Sequence, residues 1–244
     1  MAFPLTHLCV AYRILEKIDP LENLTLPDLR EGLLGYELRQ KFILGSIAPD
    51  AVHYRAGLVG ASMACIGATK KVVHLCPVSD EKWGQVTDND GWVKIAQAFL
   101  QENGNDAFAM GYAVHVLTDI FVNKGIWHKF RTKHPSEAAR GYKSGYYRDM
   151  RSIDLRLYNE FIRHGDIFEL LRDAKPQSIP GRPDLADASE LAAIQNNLLN
   201  VAYADAPADS DTTGCKYVTY QQTLDFIDDT AEFCIKHIGS YLYP

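Results

Sequence analysis

The segment GYAVHVLTDIFVNKGIWHKF, residues 111–130, restricts the fold more than any other part of the chain. Its first half is apolar on nearly every side, through Tyr112, Val114, Val116, Leu117, Ile120, Phe121 and Val122. A helix of that kind belongs in a protein interior. Yet His115, Asp119 and Asn123 follow one another at four-residue steps, so the three share one helix face. A buried carboxylate is costly without a compensating charge. The segment therefore predicts a central helix with something cationic built against Asp119.

The remaining pattern predicts helices around it. Tyr220, Leu224, Ile227, Ala231, Cys234, Ile238 and Leu242 recur at steps of three and four, a clear amphipathic stripe. A second stripe runs through Tyr147, Met150, Ile153, Leu157, Tyr158 and Phe161, and a third through Leu191, Ile194, Leu198 and Val201. Thr6–Lys17 and Tyr36–Ile47 also read as helices, and no strand-like alternation of any length occurs. Turn-rich breaks fall at DPLENLTLPD, PVSDEKWGQVTDND, AKPQSIPGRPD and DAPADSDTTG. None resembles a Gly/Ser linker. The expectation is an all-α fold, one multi-helix bundle domain over residues 1–244.

Composition narrows the function. No apolar run is long enough to span a membrane. A net charge of −6 argues against coating nucleic acid. The opening MAFPLTHLCVAYRILEKI lacks the basic start of a signal peptide, which makes a cytoplasmic location the expectation. Five scattered cysteines with no CxxC pair suit reduced thiols that pack in the core.

Several polar residues sit in apolar surroundings. His7 lies in FPLTHLCVAY, Asp50 closes FILGSIAPD with His53 three residues on, and His74 ends ATKKVVH. With His115 and Asp119 they form a His/Asp set spread over four segments. Imidazole and carboxylate are the ligands of zinc and similar divalent ions, and such an ion would neutralise Asp119. The residues alone equally allow a local His115–Asp119 pair and hydrogen-bonded core histidines.

THLCVAY, LGSIAPDAVH, KKVVH and GYAVHVLTD occur in the order and approximate spacing seen in zinc-dependent phospholipase C. The chain resembles a non-secreted bacterial branch of that family, related in fold to the single-strand-specific zinc nucleases, most closely over the first 130 residues. The resemblance implies a mostly helical domain with a metal cluster at the base of a cleft. Asp50, His74, His115 and Asp119 would hold one ion, and Asp119 would bridge to a second that His7 also binds. Secreted members ligate that second ion with an N-terminal Trp. This sequence opens MAFP, so a second ion is expected to be differently ligated or absent. A third family site uses a His after the HxxxD and then an HxxxE pair. No HxxxE occurs here, and His128 lies nine residues past Asp119. Asp154, on the second apolar stripe, is a candidate replacement ligand, or a partner for Arg151 or a Tyr hydroxyl; Asp149 lies toward the flank. Asn123 is a candidate ligand, supporting donor or helix-end cap.

The activity implied is phosphoester hydrolysis with one or two divalent ions, zinc first. Two ions about 3.5–4 Å apart would activate water and stabilise charge on the attacked phosphoryl group. Asp50 is the candidate catalytic residue, orienting or deprotonating that water. Arg148 and Arg151, with Lys70 and Lys71, are candidates to reach phosphate oxygens, against the alternative of a solvated charged face. Small phosphoesters, nucleotides and phospholipid head groups all fit as substrates. A non-catalytic metal-binding or structural helical protein of the same fold is the alternative. The helical HD phosphohydrolases need a His-Asp dipeptide, which this chain lacks.

Overall fold

The computed structural model describes residues 4–18, 35–55, 70–77, 86–179 and 181–242. Among them there is no strand, and the regular elements are helical. In chain order they are α1 (Pro4–Ile18), α2 (Tyr36–Gly45), a 3-10 segment (Ala48–Tyr54), α3 (Asn89–Asn103) and α4 (Ala107–Lys124). Then follow α5 (Ile126–Lys133), α6 (Pro135–Ala138), a short 3-10 turn (Gly141–Lys143), α7 (Gly145–Leu157), α8 (Asp166–Asp173), α9 (Ala188–Asn196) and α10 (Tyr220–Leu242).

Helix α4 is the axis of the molecule, and from Ala107 to Asn123 only Phe121 is less than buried. Asp106 starts it by accepting the Ala109 N–H at 2.9 Å, a side-chain N-cap. Helices α1, α2, α3 and α10 all pack against it. The approach of α2 is the closest because two glycines face each other's backbones. A Cβ on Gly45 would fall well inside contact distance of the Phe108 carbonyl, and one on Gly111 would do the same to the Phe42 carbonyl. The crossing is therefore backbone on backbone, and it sets how near residues 46–50 lie to α4.

Three expected helices end differently. Helix α2 stops at Gly45 rather than Ile47: Ser46 turns its hydroxyl back to the Ile43 carbonyl at 2.7 Å, and Pro49 opens the 3-10 segment. The stripes through Phe161 and Val201 continue past α7 and α9 as single π turns, with N–H bonds from Arg163 to Tyr158 and from Ala202 to Asn197 at 2.8 Å each. Apolar spacing does not distinguish such a turn from an ordinary one. The stripe of residues 220–242 forms one continuous helix.

The segment DPLENLTLPD and Cys65 lie outside the described residues. Cys9 and Cys234 are buried free thiols, Cys76 is buried and Cys215 is half-buried. Among the described residues no helix is long and apolar enough to cross a membrane.

Candidate metal centre

Four separate elements deliver the polar side chains to one buried spot. His7 comes from α1, Asp50 from the 3-10 segment, His74 from a helical turn at 70–73, and His115 and Asp119 from α4. None of the five is more than 7% exposed. His7 Nε2 lies 3.7 Å from Asp119 Oδ1, His74 Nε2 3.4 Å from Asp50 Oδ1 and 3.8 Å from Asp119 Oδ2, and His115 Nε2 3.9 Å from Asp119 Oδ2. The His7 and His115 rings stack at 3.7 Å, and His74 meets His115 edge-on at 5.0 Å.

The framework that aims these rings is itself hydrogen-bonded. Trp92 Nε1 donates to the His74 carbonyl at 3.1 Å, and the Tyr112 hydroxyl donates to the Val73 carbonyl. The chain then leaves through Leu75 at φ 52°, a left-handed conformation that non-glycine residues rarely adopt. His115 Nδ1 is 2.8 Å from the Ser46 carbonyl and His74 Nδ1 is 3.1 Å from the Lys70 carbonyl. A carbonyl only accepts, so in both rings Nδ1 carries the proton and Nε2 presents its lone pair to the carboxylates. Ligating histidines are oriented this way by a backbone acceptor.

Several of the convergent atoms have no hydrogen-bond partner: both ring nitrogens of His7, His115 Nε2 and Asp119 Oδ1. Buried polar atoms are as a rule paired. Two overlapping triads, His7–Asp50–His115 and His74–His115–Asp119, each bring three ligand atoms within 4.8 Å of one another. Imidazole nitrogens and carboxylate oxygens meeting at one buried point fit a divalent cation, zinc by ligand type.

The electrostatics point the same way. Burial pushes the Asp119 carboxyl above its ordinary pKa, partly offset by His115 and Lys70, so the charge lacks full compensation. Burial, with His115 adding to it, drives the His7 imidazole well below the usual histidine range, and burial together with Lys70 does the same to His74. Burial also opposes ionisation of Asp50, but the Lys70 ammonium, with the His74 and His115 rings beside it, outweighs that and holds the carboxyl well below the usual range.

Lys70 is where the sequence reading of a solvated face fails. The residue is buried, and its Nζ donates to Asp50 Oδ1 at 2.9 Å while lying 3.4 Å from His53 Nε2. Its position one helical turn before His74 was the available signal, since both side chains then address the same carboxylate. His53, whose side chain is 40% exposed, borders the centre at 3.9 Å from Asp50 Oδ1.

The other candidates lie elsewhere. Asn123 donates to the Val86 carbonyl at 2.8 Å and to Asn89 Oδ1 at 2.9 Å, tying the end of α4 to the start of α3. His128 is exposed on α5, 3.2 Å from an Arg131 guanidinium nitrogen. Arg148 and Arg151 are exposed on α7, and Lys71 is half-buried. Asp149 is buried, not flanking: Oδ2 accepts the backbone N–H groups of Lys216 and Tyr217 at 2.8 and 2.7 Å, which pins the chain before α10 to α7.

Asp154 faces inward and accepts from the Tyr203 hydroxyl, while its Oδ1 has no hydrogen-bond partner. Burial pushes its pKa up to about 7, against the opposing hydrogen bond. Because the folded value lies above the unfolded one, the stabilising share of Asp154 is complete below about pH 4 and is lost as pH rises through 7. Over that interval the loss amounts to about 4 kcal/mol. Urea unfolding at pH 5 and pH 8 is expected to show a steeper fall in stability for the wild type than for Asp154→Asn, which has no charge to bury. Equal falls would contradict this account.

Fold and site together define an all-helical protein built around a buried histidine–aspartate centre. The family model for zinc-dependent phospholipase C matches residues 6–231, and the chain belongs to that family. The match takes in all five residues of the centre and extends well beyond the first 130 residues. No curated protein and no solved structure matches the chain.

Proposed function

We propose that the protein is a zinc-dependent phosphoester hydrolase of phospholipase C type, whose metal ligands are drawn from His7, Asp50, His74, His115 and Asp119. The observation that carries this reading is the meeting of imidazole lone pairs and carboxylates, buried and in part without hydrogen-bond partners, at one point of the core. A divalent ion bound there supplies Lewis acidity toward water and toward a phosphoryl oxygen.

The chain's own residues supply the rest. Asp50 is the most exposed of the five and adjoins the partly exposed His53, so solvent and substrate approach from that side. Its carboxylate, held by Lys70, is placed to accept a hydrogen bond from the attacking water and orient it. His115 and His74 are kept in the ligating tautomer by the Ser46 and Lys70 carbonyls. Exposed Lys129, Lys133, Arg140, Lys143, Arg148 and Arg151 on α5 to α7 support an anionic substrate. Arg148 and Arg151 would act on approach, not at the buried centre. Small phosphodiesters and phospholipid head groups share the chemistry recognised. Free thiols at Cys9, Cys215 and Cys234 accord with a cytoplasmic location.

The test is hydrolysis of bis(4-nitrophenyl) phosphate and of phosphatidylcholine micelles by zinc-loaded protein. Activity is expected to vanish with chelator and return with zinc. Asp50→Asn is expected to lower kcat by about 10²–10⁴-fold, the usual range for a positioned acid–base group. Zinc binding without hydrolysis of either substrate would favour the non-catalytic metal-binding alternative.

A further inference from the structure

We infer that Lys70 is a built-in second cation of this centre: its ammonium stands at Asp50 in place of a second divalent ion, so that the centre takes one ion, held by His74, His115 and Asp119. The inference rests on the metal reading above and makes it more specific. Two independent features of the geometry support it.

The first is a shortage of lone pairs. Both candidate triads include His115. Its Nδ1 is committed to the Ser46 carbonyl at 2.8 Å, leaving Nε2 alone to ligate. One imidazole nitrogen serves one ion, so the two triads compete for the same lone pair and cannot fill independently.

The second is occupancy of Asp50. Lys70 Nζ donates to Asp50 Oδ1 at 2.9 Å, and His74 Nε2 approaches the same oxygen at 3.4 Å. The triad containing Asp50 is therefore already served by a fixed positive charge, whereas in the other triad His74 Nε2 and His115 Nε2 face Asp119 Oδ2 at 3.8 and 3.9 Å, beyond hydrogen-bond distance. Charge settles the choice between them. Asp50 and Asp119 bring two negative charges and Lys70 one positive. One divalent ion reverses the remaining single charge, whereas two would crowd five positive charges against two negative in a centre no more than 7% exposed. Lysine does not dissociate as a metal does, so Asp50 stays aligned whether or not the ion is bound.

This arrangement has an unusual signature, because Lys70 opposes the ion it assists. Metal-stripped full-length protein would be titrated with zinc, counting ions by native mass spectrometry and measuring affinity by competition with a chromophoric chelator. The wild type is expected to bind one ion. Lys70→Met is expected to bind it at least tenfold more tightly, having lost a neighbouring positive charge, while kcat on bis(4-nitrophenyl) phosphate falls at least tenfold. Lys70→Arg, which keeps the charge, is expected to stay within about threefold of the wild type in affinity.

Two ions in the wild type would overturn the inference and leave the metal reading standing. Unchanged or weaker zinc binding by Lys70→Met would overturn it as well, assigning Lys70 a merely structural role. No ion in the wild type would overturn the metal reading itself and this inference with it. Should Lys70→Met not fold, the wild-type count and the arginine variant still decide.

Discussion

Asp119→Asn is expected to emerge from purification without bound metal, and in metal-free buffer to melt at a higher temperature than the metal-stripped wild type. The two effects have opposite signs for one reason. Asp119 is buried, its pKa is raised by that burial, and one of its oxygens has no hydrogen-bond partner. A carboxylate whose folded pKa exceeds its unfolded one destabilises the folded state at pH 7, and a neutral amide of the same shape removes that cost. With metal present the balance reverses. Zinc at 1,000 times its Kd adds about 4 kcal/mol to the stability of a protein that binds it only when folded. For a chain of this length that is roughly 8–16 °C in melting temperature. Differential scanning calorimetry with and without zinc, beside metal analysis, measures both. A variant that keeps its metal, or a wild type whose melting temperature ignores zinc, would remove Asp119 from the metal-binding set.

Gly111→Ala is expected to be the most damaging single-methyl change outside the centre. The added Cβ would meet the Phe42 carbonyl, and the nearest atom beyond it is the Ser46 backbone nitrogen, with no side chain that could swing aside. Overpacking of a tight core costs about 1–3 kcal/mol, occasionally more, and a rigid helix-on-helix contact lies at the upper end. Relief requires α2 to move off α4. That movement would carry the Ser46 carbonyl away from His115 Nδ1 and unlock the tautomer of a central ring. The variant should therefore lose stability in urea unfolding and weaken zinc binding together. Gly45→Ala, the reciprocal contact against the Phe108 carbonyl, should do the same. Gly214→Ala, which meets nothing within 4 Å, is the control expected to change neither.

Much of the helical plan is legible in the sequence, because amphipathic helices write their period into the chain. The stripe from Tyr220 to Leu242 forms one helix with those ends, and the unbroken apolarity around His115 and Asp119 marks the helix that every neighbour packs on. Helices α3 and α8 lie outside the stripes that stand out by eye. In α8 the apolar face is only Ile167, Leu170 and Leu171, too short a run to register against turn-rich flanks. The two π turns escaped for a different reason, since one extra residue in a turn leaves apolar spacing almost unchanged.

The candidate centre divides in the same way. Composition and order of motifs single out His7, Asp50, His74, His115 and Asp119, since histidine and aspartate in apolar segments demand partners. Asp149 read as flanking because stripe position says which face a residue is on, not whether a later segment, here Lys216 and Tyr217, closes over that face. Lys70 read as solvated because a lysine beside another lysine ordinarily is.

By itself the sequence determined that α4 is buried and that the polar residues His115 and Asp119 share one of its faces. Only the tertiary structure decided which side chains stand around that face. A pair of glycines lets two backbones touch, that contact brings Ser46 and Asp50 to α4, and Asp50 then meets Lys70 across twenty residues of chain. Periodicity is a local property carried by each helix alone. Charge pairing between segments depends on distances that no single segment contains.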